Sequence, residues 1–210
     1  MISNMLRNRK GFTLVELAIV LVIIGIILGA VLKGAEMIKT AKFKRLYGQY
    51  REISAAVYTY YDKYGKFPGD DPNAVGRWSG VSILAGNNNG YIDGTQFCNG
   101  SEATESCVAW QALRAAGIIT GSTDAGLGRQ SPSNPFGGRI ALGRPDVLTG
   151  MTTWQKPYAV CFENLTNETA RWLDQNYDDG VYNTGSVRGS ANYYSGTEEQ
   201  ILAQYTCLEF

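Results

Sequence analysis

An acidic side chain stands inside an otherwise apolar run near the start of the chain. From Phe12 to Leu32, Glu16 is the only charged residue, and the others are mostly Leu, Ile, Val, Ala and Gly. Such a run is long enough to cross a bilayer as a helix, and a carboxylate there is costly unless a partner neutralises it. An ammonium group on a neighbouring helix would attract it strongly at low dielectric. Glu16 is therefore a candidate functional residue, and the alternative is an ordinary anchor whose acid stays solvated or protonated.

The residues around this acid carry a more specific signal. A short basic leader without acids is followed by Lys10-Gly11-Phe12-Thr13-Leu14-Val15-Glu16. This segment resembles the class III signal of the type IV pilin superfamily, in which Gly, Phe and Glu stand in this register before an apolar helix. The resemblance implies that a prepilin peptidase cleaves between Gly11 and Phe12 and methylates the new amine of Phe12. That amine would neutralise Glu16 of a neighbouring subunit and set the register of packed helices.

The resemblance also implies a mechanical function. The chain would be a structural subunit of a type IV pilus or a related filament; the alternatives are a type II secretion pseudopilin, a minor pilin, or a membrane-anchored exported binding module that never polymerises. Its partners would be other copies of itself, the prepilin peptidase, an assembly platform with minor pilins, and the membrane. The precursor would cross the bacterial inner membrane once, with a cytoplasmic N-terminus and a periplasmic head, before it joins a surface pilus or a periplasmic pseudopilus.

The composition excludes several classes of enzyme site. The chain contains no histidine, so Ser-His-Asp, Cys-His and histidine-based metal sites are impossible. Lys plus Arg and Asp plus Glu are both 19, so the formal charge is zero and does not predict nucleic acid as an obligatory partner. Serine–lysine or carboxylate chemistry remains possible, but no residue pattern points to it. The resemblance implies that the chain has no enzyme activity, no catalytic residue and no obligatory cofactor.

Four cysteines lie beyond the apolar run, at Cys98, Cys107, Cys161 and Cys207. An oxidising compartment would join them as disulfides, whereas buried free thiols are the alternative, and no Cys-x-x-Cys spacing predicts zinc. Four cysteines allow three connectivities. We favour Cys98–Cys107 as a small loop and Cys161–Cys207 as a large one that ties the C-terminus to the head, as the C-terminal disulfide does in many pilins.

One glycine- and asparagine-rich loop is a candidate calcium site. Asn87, Asn89 and Asp93 place oxygen side chains at spaced positions with glycines nearby. Calcium takes six to eight oxygen ligands, so this stretch alone is insufficient. The alternative is a turn in which Asn and Gly adopt left-handed conformations.

A second candidate calcium site begins at Asp174. Asp174, Asn176 and Asp178 space their oxygens as the start of an EF-hand loop does, but the glycine comes one residue late and position twelve is Gly185 rather than Glu. The alternative is a tight turn capped by Asp178 and its neighbouring aspartate, with Arg188 as ion-pair partner.

The elements that must position these residues begin with one long helix. We divide the chain into a leader (1–11), a membrane or filament-core half of the helix (12–32), an amphipathic half (33–65) and a head (66–210). The amphipathic half carries an apolar stripe with helical spacing at Leu46, Tyr50, Ile53, Val57, Tyr60 and Tyr64. Major pilins usually carry a proline in this helix, whereas the first proline here is Pro68.

The head is predicted to be α+β with a small antiparallel sheet, as in type IV pilin-like proteins. We predict a short helix within Cys107–Ile119, strands at Arg139–Leu142 and Tyr158–Phe162, a helix from Asn164 to Leu173 capped by Asn164 or Thr166, and an ordered strand or turn within the tail from Ile201. Residues 122–150 are rich in Gly, Ser and Pro and are predicted to form a long surface loop. The segment from Trp110 to Gly121 resembles a recurring segment of pilin-like proteins whose role is unassigned.

Overall fold

The structure, a computed structural model, describes residues 11–144, 156–200 and 205–210. The predicted leader up to residue 10, residues 145–150 of the predicted loop and residues 201–204 of the predicted tail lie outside the described residues. The chain divides into two compact units, Met1–Ala41 and Lys42–Phe210.

Helix α1 runs without interruption over Leu14–Tyr64. The helix begins two residues later than the predicted Phe12, because the chain from Gly11 to Thr13 is not helical. It ends where predicted: Gly65 adopts a φ of +69° and donates its N–H to the carbonyl of Tyr61 at 2.7 Å. A left-handed glycine is a common helix C-terminus because it has no side chain to clash.

The second half of α1 packs in the core of the unit Lys42–Phe210. The predicted stripe is confirmed: Leu46, Val57 and Tyr60 are fully buried, and Tyr50 and Tyr64 are partly buried against the same core. Burial of such a side chain stabilises the fold by about 1.5–3 kcal/mol relative to exposure. The core therefore fixes the face of α1 that the head covers.

Within the described residues, four strands form an antiparallel sheet in the order β1-β2-β4-β3. The strands are β1 (Ile140–Gly143), β2 (Ala159–Glu163), β3 (Val187–Gly189) and β4 (Tyr205–Glu209). The α+β class and the first two predicted strands are confirmed, each shifted by one residue, and β4 lies in the predicted tail. Sequence reasoning missed β3, which has only three residues and is paired by β4.

Two further helices contact this sheet. Helix α2 spans Glu105–Ala115, so the predicted helix is confirmed but begins two residues before Cys107, and Gly117 follows it at a φ of +70°. Helix α3 spans Asn167–Tyr177, four residues longer at its end than predicted. Its cap is Thr166, whose side chain accepts the N–H of Thr169 at 3.3 Å. The predicted loop 122–150 contains a short 3-10 helix, Leu127–Arg129, before β1.

Candidate functional site

Thr13 and Glu16 cap the start of α1 reciprocally. The backbone N–H and the hydroxyl of Thr13 both donate to Oε2 of Glu16 at 2.8 Å, and the N–H of Glu16 donates to Oγ1 of Thr13 at 3.2 Å. This arrangement is a capping box, which satisfies two backbone donors that the first helical turn leaves unpaired. The sequence pattern Thr-x-x-Glu predicts such a box, and sequence reasoning missed it.

The capping box places Glu16 in a defined position next to the predicted cleavage site. Gly11 and Phe12 precede the cap in non-helical backbone, and Phe12 is 79% exposed. The carboxylate lies in the first turn, where the positive end of the helix dipole favours a negative charge. Cleavage before Phe12 would therefore create an amine four residues before an acid whose orientation the helix start already fixes.

The first half of α1 leaves its apolar side chains exposed in every direction. Among the described residues, α1 is the helix that is long and apolar enough to span a membrane; its most apolar 18 residues have a mean hydropathy of 3.0 and none is buried. Gly25 and Gly29 lie in this half, and an added Cβ at either would meet nothing within 4 Å. A Gly-x-x-x-Gly pair lets another helix approach closely.

All four cysteines are joined as disulfides, Cys98 with Cys107 and Cys161 with Cys207. The first bond joins a loop to α2, and the second joins β2 to β4 at directly opposed positions. These are the two favoured pairings. The second bond fixes the C-terminal strand to the centre of the sheet.

The first candidate calcium loop is organised by two acids that sequence reasoning did not include. Asp70, which is 1% exposed, accepts the N–H groups of Asn89 and Gly90 at 3.0 and 2.9 Å. Glu105 accepts the N–H groups of Asn87 and Asp93 at 2.8 and 3.1 Å. Burial raises the pKa of Glu105, although these two hydrogen bonds oppose the rise.

The side chains proposed as ligands in this loop are bound to one another. The amides of Asn87 and Asn89 both donate to Oδ2 of Asp93, at 3.2 and 2.6 Å. Asn88 adopts a φ of +61°, as the alternative of a left-handed Asn/Gly turn requires. Calcium binding to this loop stays a prediction.

The second candidate loop brings together Asp174, Asp178 and Asp179, whose carboxylate oxygens lie within 4.8 Å of one another. Asn176 points back along α3 instead, because its amide donates to the carbonyl of Trp172 at 2.8 Å. Carboxylate oxygens suit calcium by type, so the cluster is compatible with the predicted ion. Calcium binding here also stays a prediction.

Protein donors already surround the second cluster. Asp174 is fully buried and accepts the hydroxyls of Tyr193 and Tyr194 at 2.7 and 3.2 Å and the N–H of Gly180 at 3.0 Å. Burial raises the pKa of Asp174 despite these bonds, and burial together with the Asp174 charge raises the pKa of Tyr194 to about 12. Asp178 accepts the N–H of Val187 at 2.6 Å, which ties the loop to β3.

A comparison with known families agrees with the arrangement at the start of α1. The family described as the prokaryotic N-terminal methylation motif matches residues 6–32, which include Gly11, Phe12 and Glu16. No curated protein and no solved structure matches the chain. The chain therefore carries, at residues 6–32, the N-terminal methylation signal of type IV prepilin-like proteins.

Proposed function

We propose that this chain is a structural subunit of a type IV pilus or a related filament, made as a precursor in the inner membrane. The observation that carries the proposal is the methylation motif at residues 6–32. It is in register with an exposed apolar run, residues 12–32, whose single acid, Glu16, is held at the helix start. A prepilin peptidase would cleave between Gly11 and Phe12 and methylate Phe12.

Assembly would follow from the exposed half of α1. Burial of its apolar side chains against other copies would supply cohesion, and the Phe12 amine of one subunit would pair with Glu16 of a neighbour in a setting of low dielectric. The capping box leaves one Glu16 oxygen, Oε1, outside the bonds made by Thr13, which use Oε2. An assembly platform and minor pilins would extract the subunit, whose head would lie on the periplasmic side.

A specific observation favours the second candidate, a type II secretion pseudopilin or minor pilin. Helix α1 is continuous from Leu14 to Tyr64, and the first proline of the chain is Pro68. A proline within a helix removes a hydrogen bond and kinks it, and major pilins usually carry one in this helix. The continuous helix therefore fits the pseudopilin or minor-pilin alternative better than the principal subunit of a long pilus.

An intact-mass measurement on the source cells tests the proposal. Filaments sheared from the cells and the membrane fraction are measured side by side. A processed chain that lacks residues 1–11, carries one methyl group and has lost four hydrogens to two disulfides supports the proposal. Abundance in the sheared material identifies a pilus subunit, and confinement to the membrane identifies a pseudopilin or minor pilin.

Two variants control this measurement. Gly11→Val should keep residues 1–11, because the cleavage site no longer has glycine. Gly34→Val changes another glycine in the same unit at which an added Cβ meets nothing within 4 Å, and it should be cleaved normally. A wild-type chain that starts at Met1 in every fraction would overturn the filament proposal and leave an anchored, non-polymerising module.

A further inference from the structure

A group of five basic residues follows the apolar run of α1 and is called the basic cluster below. It consists of Lys33, Lys39, Lys42, Lys44 and Arg45. Glu36 is the single acid between residues 33 and 45, so this stretch has a net charge of +4. Beyond residue 45 the chain contains 11 basic and 17 acidic residues, a net charge of −6. The positive charge is therefore concentrated directly after the apolar run.

The residues of the basic cluster are all exposed. Nζ of Lys33 lies 2.7 Å from Oε2 of Glu36, and both side chains are 68% exposed. An ion pair of two exposed side chains contributes little to stability and is screened by salt. Nζ of Lys42 lies 5.7 Å from the centre of the Phe136 ring, and a cation–π contact of this kind leaves the ammonium charge in place. The net positive charge of the cluster therefore faces the surroundings of the helix.

The basic cluster surrounds α1 and does not follow one face of it. Successive residues are turned by about 100° around the axis of a helix. At this angle Lys33 and Lys44 lie on one side of α1, and Lys42 lies on the opposite side. Lys39 and Arg45 lie on the two flanks between them, so no arc without a basic residue is wider than about 120°. A protein or a nucleic acid would contact one face of a helix, whereas a lipid leaflet that a helix crosses surrounds it.

The basic cluster also begins at the depth where a bilayer would end. The helical part of the apolar run, residues 14–32, is about 28 Å long, close to the thickness of the hydrocarbon core, and Lys33 follows it directly. The headgroup layer on one side is about 5–7 Å thick, and the field of its charges extends about 8 Å further into physiological salt. Lys42 lies about 15 Å beyond Leu32 along the axis. Side chains on this side of the membrane lean towards the N-terminal end of α1, and so towards the bilayer.

We propose that the basic cluster binds the phosphate groups of anionic phospholipids in the leaflet that borders Leu32. The ammonium and guanidinium groups attract these phosphates from all sides of the helix, as groups of basic residues next to a membrane span do. The proposal rests on the membrane-anchored precursor of the proposed function. Extraction of the subunit from the membrane then has to break these contacts, so the content of anionic lipid sets how firmly the precursor is held.

The test compares two spin-labelled lipids around the full chain in bilayers of phosphatidylcholine. One label is carried by phosphatidylglycerol, which is anionic, and the other by phosphatidylcholine, which has no net charge. Electron paramagnetic resonance measures the fraction of each label that contact with the protein immobilises. We expect phosphatidylglycerol to associate at least about fivefold more strongly at low salt. This preference should fall by at least about half in roughly 1 M salt, where the Debye length is about 3 Å.

Matched triple variants locate the contact on the helix. The cluster variant carries Lys39→Gln, Lys42→Gln and Lys44→Gln. Its preference for phosphatidylglycerol should be at least about threefold weaker than that of the wild type, because three charges near the headgroups are lost. The control variant replaces three exposed basic residues outside the cluster and should keep the wild-type preference; its changes are Arg51→Gln, Lys63→Gln and Lys156→Gln.

The leader needs a variant of its own, because it carries three basic residues on the other side of the apolar run. The leader variant carries Arg7→Gln, Arg9→Gln and Lys10→Gln and should keep at least about half of the wild-type preference. Tryptophan fluorescence shows whether each variant is folded. If the cluster variant does not fold, the leader variant decides, since the basic cluster is then the remaining group of basic residues beside the apolar run.

The outcomes separate this proposal from the proposed function. If neither label is immobilised, α1 does not span the bilayer, and both proposals are overturned. If both labels are immobilised equally, or if the folded cluster variant keeps the full preference, the lipid proposal alone is overturned. Loss of the preference in the leader variant would also overturn it. Salt-sensitive association between copies that the cluster variant abolishes, without any lipid preference, would overturn it too and assign the cluster to acidic residues of a second copy.

Discussion

The two compact units of this protein differ in whether their apolar side chains are exposed or buried. In the unit Met1–Ala41, Leu14 and Leu28 are 86% and 58% exposed, whereas in the unit Lys42–Phe210, Leu46 and Val57 are fully buried. The four residues belong to one continuous helix. The apolar surface of the second unit is used for its own fold, and that of the first is available to a membrane or to other copies.

The acids Glu16 and Asp71, one from each unit, differ in where their hydrogen-bond partners lie. Among the residues that the structure describes, Glu16 is bound only within its own helical turn. Asp71, in the second unit, is fully buried and accepts the hydroxyl of Tyr60 at 3.0 Å and Nη2 of Arg77 at 2.6 Å. Because Asp71 is bound by side chains outside its own turn, whereas Glu16 is bound by its own helix start, substitutions of these acids should affect folding in the second unit and assembly in the first.

Glu16→Ala should have the largest effect, and the effect should be on assembly. The variant loses the acid that would pair with the Phe12 amine, so we expect filament in the sheared fraction to fall at least about tenfold while the processed protein stays in the membrane. The measurement is quantitative immunoblotting of both fractions. Glu36→Ala is the matched control, since Glu36 is an exposed acid of the same helix that pairs with Lys33. Normal filaments with Glu16→Ala would contradict the assembly role.

The disulfide that closes the longer loop should stabilise the fold more, because the chain entropy that it removes grows with the logarithm of the loop length. Replacing Cys161 and Cys207 by Ala together opens a separation of 46 residues, and we expect the free energy of unfolding to fall by about 4 kcal/mol. Replacing Cys98 and Cys107 opens a separation of 9 residues and should cost about 3 kcal/mol. Urea unfolding of the full chain in detergent, followed by tryptophan fluorescence, measures both. A larger loss for the smaller loop would show that local packing outweighs chain entropy.

A matched pair of leucines tests the contrast between the units directly. Leu46→Ala leaves a cavity in the core of the second unit, so its free energy of unfolding should fall by about 3 kcal/mol. Leu28→Ala, the same change at an exposed position of the same helix, should change it by less than about 0.5 kcal/mol. The same urea experiment measures both variants. Equal losses would show that the first half of α1 is needed for the stability of the head.

Calcium should have the smallest effect. Protein donors already bind the carboxylates of Asp174, Asp178 and Asp179, so an ion would have to displace them and would bind too weakly to raise the stability measurably. We expect the melting temperature of the full chain to differ by less than about 1 °C, or less than about 0.3 kcal/mol, between excess calcium and a chelator. A clear rise with calcium that is lost in Asp178→Asn would contradict this and place an ion at the cluster.

Some features of the molecule could be predicted from the sequence because they depend on residues that are close together in the chain. The apolar run, the position of Glu16 within it, the stripe from Leu46 to Tyr64 and the glycine end of α2 all follow from helical periodicity and local backbone conformation. The Thr13–Glu16 capping box is also local, and its Thr-x-x-Glu pattern was visible in the sequence. The short strand β3 was not, because three residues carry too little periodicity and β4 determines their pairing.

The tertiary structure alone decided which distant polar groups meet. Asp70 binds the amides of a loop 19 and 20 residues away, and Asp174 meets the hydroxyl of Tyr193. Gln49 of α1 and Trp110 and Arg114 of α2 line one cavity although they are far apart in the chain. The sequence by itself determined the elements and the N-terminal signal, since those rest on residues within a few turns of one another. Long-range packing determined the contacts, because it alone sets which loops and helix faces become neighbours.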